Sequence, residues 1–263
     1  MSILESDPAL TAYESLAPFY DAYTEGYDHE RWLLNLEAIA VEHGLSGKSL
    51  LDVGCGTGKS FVPLLRRGYE VMACDLSPAM VALARERADG MARVMVADAR
   101  ELPTLGSFDL VTCLDDALNY LTSDEDLGAA FESVARNLRP GGILVFDLNS
   151  LATYRGFFAQ DAVVEVDGAL FCWRGEGHEG VEPGGLCSST IEIFSTDDGE
   201  CYRRRRSTHV QRHHAPELVA RLLDEAGLEL VERRGQVTGA AVEPDGDDGR
   251  HVKLVYFARR RGR

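Results

Sequence analysis

The stretch Val53-Gly54-Cys55-Gly56-Thr57-Gly58-Lys59-Ser60 concentrates glycine where a strand-like run gives way to a helical one. Glycines without Cβ atoms let a ligand lie against the backbone, and a helix start offers N–H groups with no partner. Two phosphate ligands fit this turn poorly. For a nucleoside triphosphate, Gly58-Lys59-Ser60 matches the end of a phosphate loop, but that loop needs glycine five positions before Gly58, where Val53 stands. For a dinucleotide, the third glycine counted from Gly54 falls at Lys59. Carboxylates then follow apolar runs at Asp75, Asp98 and Asp115-Asp116.

A third ligand carries no phosphate. Leu51-Asp52-Val53-Gly54-Cys55-Gly56-Thr57-Gly58 resembles the glycine loop of the class I S-adenosylmethionine-dependent methyltransferases, and the resemblance covers nearly the whole chain. It implies S-adenosyl-L-methionine as cofactor and S-adenosyl-L-homocysteine as product. It implies that Gly54, Gly56 and Gly58 keep the loop flat, with backbone groups of Gly54 and Gly56 meeting the methionine part. Asp75 ends the second strand about 20 residues past the loop, where a carboxylate accepts both ribose hydroxyls. It also competes with Ser77 to cap the helix that begins at Pro78. The resemblance gives Asp98 the adenine amino group and the Ala99 backbone N–H the ring, although Asp98 also reads as a plain loop acid. Leu76 and Leu102 flank the adenine or belong to the core. Leu114, with Asp115 and Asp116, is expected beside the sulfonium.

Asp115-Asp116-Ala117-Leu118-Asn119-Tyr120 lacks the Asn-Pro-Pro-Tyr signature of enzymes that methylate nucleobase or glutamine amide nitrogen. It is similar to the exit in glycine and sugar amine N-methyltransferases, which implies a small-molecule acceptor. Acceptor candidates are Asp116, Asn119, Tyr120, Trp173, Arg174 and His209. Tyr13 and Tyr20, from an aromatic N-terminal segment, are expected over the cofactor, against the plainer reading that aromatics at helical spacing pack. The catalytic base stays open, with His29, Asp115, Asp116 and Tyr120 as candidates. An activated sulfonium leaves alignment and water exclusion as the main tasks, while a hydroxyl acceptor adds the need for a base. The alternatives are methylation of a protein or peptide amine, and a cofactor-binding protein without catalysis.

These residues need a scaffold. Apolar runs at 49–53, 70–74, 93–96, 108–113 and 143–146 alternate with helical patterns at 60–67, 78–87 and 124–138, which predicts a parallel sheet with helices on both faces. The resemblance implies a Rossmann-like α/β fold of seven strands, the last antiparallel. From about 162 to 213 the pattern turns to alternating strands, read as an antiparallel β insertion before the penultimate strand. A helix over 216–226 and strands over 228–233 and 252–258 complete the core. The division is a helical lid over 1–45, a cofactor-binding core over 46–150, the insertion over 151–214 as acceptor-site cover, and core completion over 215–263.

Lys plus Arg is 27 against 43 Asp plus Glu, a net charge of −16. That balance disfavours nucleic acid, whose general affinity comes from basic residues on phosphates. No secretory leader is read at the start and no run reaches the roughly 20 apolar residues of a membrane span. The six cysteines form no Cys-x-x-Cys pair, consistent with a reduced cytoplasmic protein and no metal. The chain is expected to act there as a monomer or homodimer.

Overall fold

The computed structural model describes residues 7–262 apart from Asp167. Residues 1–6, read above for a leader, lie outside the described residues. Three helices come first: α1 (Pro8–Leu16), α2 (Tyr20–Tyr23) and α3 (His29–Glu42). They are followed by β1 (Ser49–Val53), α4 (Val62–Arg66), β2 (Glu70–Asp75), α5 (Pro78–Ala88), β3 (Arg93–Val96), β4 (Phe108–Cys113), α6 (Asp124–Asn137) and β5 (Leu138–Asn149). After the short α7 (Leu151–Arg155) come β6 (Asp161–Val166), β7 (Ala169–Gly175), β8 (Leu186–Ser195) and β9 (Arg203–Arg212). The chain ends with α8 (Pro216–Glu225), β10 (Leu228–Gln236), β11 (Val242–Glu243) and β12 (Lys253–Arg260).

The main sheet runs β11-β10-β12-β5-β4-β1-β2-β3. Strands β1 to β5 are parallel, and β12 is antiparallel to both β5 and β10. The count is eight rather than the expected seven, because the two-residue β11 pairs with the end of β10. Helices cover both faces. Trp32, Leu33, Phe61 and Val81 pack on one, and Leu127, Phe131, Val219 and Leu223 on the other. Strand β5 is buried on both sides, which explains its unbroken apolar run Ile143-Leu144-Val145-Phe146. The turn Arg139-Pro140-Gly141-Gly142 falls inside β5: Leu138 pairs with Phe108 and Ile143 with Leu110, so the turn bulges from the ladder.

Ser77 caps α5, its Oγ accepting the Met80 N–H at 3.2 Å, so the cap falls to Ser77 rather than Asp75. The second sheet, β6-β7-β8-β9, is antiparallel throughout. One face carries Phe171, Trp173, Ile191 and Ile193 and packs with Leu16, Tyr154 and Phe158. Burial of that face turns the β6–β9 sheet toward α1 and α7. The acidic segment 243–248 ties units together. Asp248 accepts the Leu151 N–H at 3.0 Å and pairs with His213 Nε2 at 3.0 Å. Among the described residues, no helix is long and apolar enough to cross a membrane.

Candidate functional site

In an open α/β sheet the carboxyl ends of the parallel strands face the ligand crevice. Here the loops after β1, β2, β3 and β4 form one wall of a cleft of about 990 Å3. Gly54, Gly56, Asp75, Leu76, Asp98, Ala99 and Leu114 all line it, and the opposite wall holds Tyr13 and Tyr20 of the lid. Gly56 has φ +52°, and a Cβ built there would come within 3.9 Å of the Tyr20 ring, so its side-chain position faces the cleft. Each Asp75 oxygen accepts one backbone N–H: Oδ2 that of Gly56 at 2.8 Å, Oδ1 that of Ser77 at 2.9 Å. A carboxylate oxygen has a second acceptor position, so both stay able to take a hydroxyl. Burial pushes the Asp75 carboxyl up, against the pull of those N–H groups.

One expected cleft residue lies elsewhere, and of the two readings for Leu102 the core one holds. Gly58, with φ +91°, lies behind the wall: a Cβ there would meet the Phe61 ring at 3.0 Å. Leu102 is buried in the core among residues such as Phe131 and Leu144. Asp98 lines the cleft, but Arg100 Nε lies 3.0 Å from both its oxygens. Arg100 also reaches Asp7 at 2.8 Å.

The N-terminal helices, expected as a lid, dock on the core through three acids spaced by seven residues. Asp7 pairs with Arg100 beyond β3. Glu14 accepts from Ser77 Oγ at 2.6 Å and from the Ala79 N–H at 2.9 Å, at the start of α5. Asp21 accepts from Thr57 Oγ1 at 2.6 Å and pairs with Arg87. Lys59, which imitated a phosphate-loop lysine, donates to the Asp21 carbonyl at 3.0 Å and to Thr24 Oγ1 at 2.8 Å. It fastens the lid.

Comparison with known proteins identifies the family. A methyltransferase-domain family matches residues 50–142. A putative methyltransferase of Bacillus subtilis, YqeM, is 30% identical over 224 residues, covering 83% of this chain and 87% of its own length. The chain belongs to the class I S-adenosylmethionine-dependent methyltransferases. A solved S-adenosylmethionine-dependent methyltransferase from Clostridium acetobutylicum superposes on this methyltransferase with a TM-score of 0.79 at 25% identity, covering 95% and 99% of the two chains. A dTDP-3-amino-3,6-dideoxy-alpha-D-glucopyranose N,N-dimethyltransferase of Streptomyces fradiae is 32% identical over 134 residues, 50% of this chain and 52% of its own.

A second, larger cavity of about 1470 Å3 adjoins the cleft in the methyltransferase. Tyr13, Tyr20, Asp115 and Tyr120 line both. His29, Asp116, Trp173 and His209 line the second. Its polar floor is a cluster of ion pairs. Asp115 and Asp116 have φ +60° and +51°, an uncommon conformation outside glycine. Asp147 of β5 holds both: its Oδ1 accepts the Asp115 N–H at 2.7 Å and its Oδ2 the Asp116 N–H at 2.9 Å. Lys253 Nζ sits 2.8 Å from Asp116 Oδ1 and 2.9 Å from Asp147 Oδ2. Gln211 Nε2 donates to Asp116 Oδ2 at 2.7 Å, so both Asp116 oxygens are engaged. His29 Nε2 lies 2.9 Å from Asp115 Oδ2.

Burial pushes the Asp147 carboxyl up to about 6, even against Lys253. Burial would also raise Asp115, but the His29 hydrogen bond and the Lys253 charge hold it below the usual carboxylate range. The surrounding carboxylates, Asp116 first, keep the Lys253 ammonium well above its ordinary value despite burial. Burial holds His209 down at about 4, and both its ring nitrogens are engaged, Nδ1 with Tyr120 Oη at 2.9 Å and Nε2 with Ser207 Oγ at 3.0 Å.

Two expected acceptor residues fall away. Arg174 lies on the outer face of β7, its side chain 63% exposed and paired with Glu192 at 3.0 Å, because strand alternation sends Trp173 inward and Arg174 out. Asn119 is buried and structural: its Nδ2 donates to the Arg212 carbonyl at 2.8 Å and its Oδ1 accepts the Asn149 N–H at 2.9 Å. Asp147, Lys253 and Gln211 were not singled out from the sequence. Asp147 did carry a signal, a lone acid in the apolar run 143–148.

Proposed function

We propose that this chain methylates a small-molecule acceptor at N or O. One observation carries the reading: a cleft and a second cavity meet at a wall of Tyr13, Tyr20, Asp115 and Tyr120. A group held in the cleft and an acceptor held in the cavity therefore face each other across Asp115. The Streptomyces fradiae relative, named for an amino-sugar substrate, supports a small acceptor.

The donor set of the cleft fits S-adenosyl-L-methionine. Asp75 would take the ribose hydroxyls through the acceptor positions left open. Asp98, Ala99 and Leu76 would hold the adenine, and Gly54 and Gly56 the methionine part, beneath Tyr13 and Tyr20, with Leu114 beside them. The cofactor, when bound, supplies a methyl group already activated on a sulfonium. The chain's own residues then align and exclude water. The lid acids Asp7, Glu14 and Asp21 hold Tyr13 and Tyr20 over the cleft. Asp147 fixes the backbone that presents Asp115, and His29 orients its carboxylate. Trp173, His209 and Tyr120 shape the acceptor's side. Holding two reactants in line converts an encounter into an effectively unimolecular step.

We read the protein as cytoplasmic, a monomer or homodimer, acting apart from nucleic acid. The free thiols among the described residues and the net charge of −16 support that reading. Calorimetry with S-adenosyl-L-homocysteine tests the cleft. Asp75→Ala should weaken binding about 10- to 100-fold, as lost hydrogen bonds to a charged group do, and Gly56→Arg should abolish it. Wild-type affinity in both variants would overturn the assignment. Transfer of labelled methyl to protein in place of metabolites would favour a peptide acceptor, and no transfer a binder.

A further inference from the structure

We infer that the acceptor is an amine borne on a body without phosphate or carboxylate. The inference rests on the methyl-transfer reading above and adds the class of substrate.

Charge in the second cavity is unevenly shared. Asp115 and Asp116 line it and Asp147 lies directly behind them. Among the described lining residues the basic groups are Lys253, His29 and His209, and none is free. Lys253 lies between Asp116 and Asp147, at 2.8 and 2.9 Å. His29 is on Asp115, and His209 is bonded at both nitrogens. An anionic group entering here would meet carboxylates and find Lys253 taken by two of them and His29 Nε2 by a third. Binding a phosphate or carboxylate beside these carboxylates takes a free arginine, lysine or N-terminal N–H cluster. A nucleoside diphosphate sugar, such as the Streptomyces fradiae relative is named for, is therefore the wrong kind of molecule for this cavity.

A cation or amine meets the opposite conditions. Asp115 Oδ2 faces His29, and Oδ1 has no hydrogen-bond partner among the described residues. The walls include Tyr13, Tyr20, Tyr23, Tyr27 and Trp173. Aromatic faces attract ammonium groups and accept the apolar or ring body that carries them.

The chemistry separates nitrogen from oxygen. A hydroxyl must give its proton to a base, and the groups here are poorly free to take it: the Asp115 carboxyl is held below its usual range, His209 at about 4, His29 Nε2 lies on Asp115, both Asp116 oxygens are engaged, and Tyr120 Oη lies on His209. A free amine brings its own lone pair, having shed one proton to solvent on entry. The nitrogen pair forms the N–CH3 bond, the pair of the broken S–CH3 bond stays on sulfur, and the positive charge passes from sulfur to nitrogen. No further proton moves. Asp115 is then the anion toward which that charge develops.

The test gives the full chain a deuteromethyl-labelled cofactor and a small-molecule metabolite extract. Mass spectrometry and electrophoresis at neutral pH read the mass and charge of each labelled product. The expected product carries the label on nitrogen and migrates as a cation. Label on oxygen, or on a molecule bearing phosphate or carboxylate, overturns the inference and leaves methyl transfer intact. Label on protein alone overturns the small-molecule acceptor and the inference with it, and no label on metabolite or protein, from protein that still binds S-adenosyl-L-homocysteine, overturns methyl transfer itself. A second measurement uses protein saturated with S-adenosyl-L-homocysteine. Benzylamine should bind at least ~10-fold more tightly than 4-(aminomethyl)benzoate or benzyl alcohol. Asp115→Asn should erase that preference. Equal or tighter binding of the carboxylated probe overturns the inference.

Discussion

Asp147 Oδ1 accepts the backbone N–H of Asp115 at 2.7 Å, so a carboxylate buried in β5 sets the direction of an acid that both cavities share. Its other oxygen holds the Asp116 N–H in the same way. Two consecutive left-handed residues cost of order 1–3 kcal/mol each and persist only where their surroundings fix them. The price of that turn is met by one side chain that also pairs with Lys253.

Asp147→Asn should lower stability by about 3 kcal/mol, as breaking a buried ion pair does. The amide has one acceptor oxygen where two N–H groups need one each. Methyl transfer should fall because Asp115 is no longer aimed, while affinity for S-adenosyl-L-homocysteine stays near wild type. Urea unfolding and calorimetry, run together, check both halves. A variant that unfolds early but transfers methyl normally would deny Asp147 any positioning role.

Asp115→Asn and Asp116→Asn should separate cleanly. Removing the charge that faces the reacting atoms should slow methyl transfer by ~100- to 1000-fold, the usual loss for a preorganised electrostatic group. Asp116 has both oxygens engaged, by Lys253 and Gln211, so its variant should lose stability more than rate. Single-turnover rates with labelled cofactor, read beside melting curves, make the comparison.

Asp52 predicts a pH dependence of stability. It is fully buried in β1 and accepts from Ser60 Oγ and Thr112 Oγ1, each at 2.5 Å. Burial pushes its carboxyl up to about 7, despite those two hydrogen bonds. The native state therefore holds this proton where the unfolded chain has lost it. Its contribution is fully present below the ordinary carboxylate range and is lost as pH rises through about 7. At about 1.4 kcal/mol per unit, the loss is of order 4 kcal/mol. Urea unfolding of wild type should weaken between pH 5 and pH 8 relative to Asp52→Asn, in which this slope is absent.

Gly58→Ala should cost about 1–3 kcal/mol through its left-handed backbone and the Phe61 ring. Because the position lies behind the cleft wall, cofactor affinity should change far less than in Gly56→Arg. Equal loss of affinity in the two would return Gly58 to the binding surface.

Asp21→Asn removes the lid's pairing with Arg87 and weakens its bond to Thr57. Partly exposed pairs contribute up to about 1 kcal/mol each, so S-adenosyl-L-homocysteine should dissociate about fivefold faster. The wild-type dissociation rate should also rise with salt, which screens exposed pairs. A stopped-flow chase at two ionic strengths measures both effects.

The alternating core was legible because each buried strand and amphipathic helix wrote its own period, from β1 through α6. The glycine loop and the acids at strand ends were legible because their chemistry is local. What was not legible depends on distant pairing. Nothing near Lys253 says that it will meet Asp116 and Asp147 across β12, β5 and the exit of β4. Arg174 and Trp173 are neighbours in sequence, and only the packing of the β6–β9 sheet decides which one enters the cavity. Gly58 belongs to the motif by spacing, yet Phe61 claims its side. Asn119 sits between site residues but serves the backbone of β5 and β9.

The lid's acids and the core's cations give that interface a direction. Asp7, Glu14 and Asp21 all lie on one partner, while Arg100 and Arg87 lie on the other. A seam with such polarity works as an address. A lid carrying basic residues at these positions would be refused by this core and accepted by one with acids in their place. Exchanging Asp21 and Arg87 as a matched pair would rewrite part of the address at residues that line neither cavity. Charge thus addresses the cover of the site, and the packing of Leu16, Phe19 and Tyr23 beside Phe171 seats it.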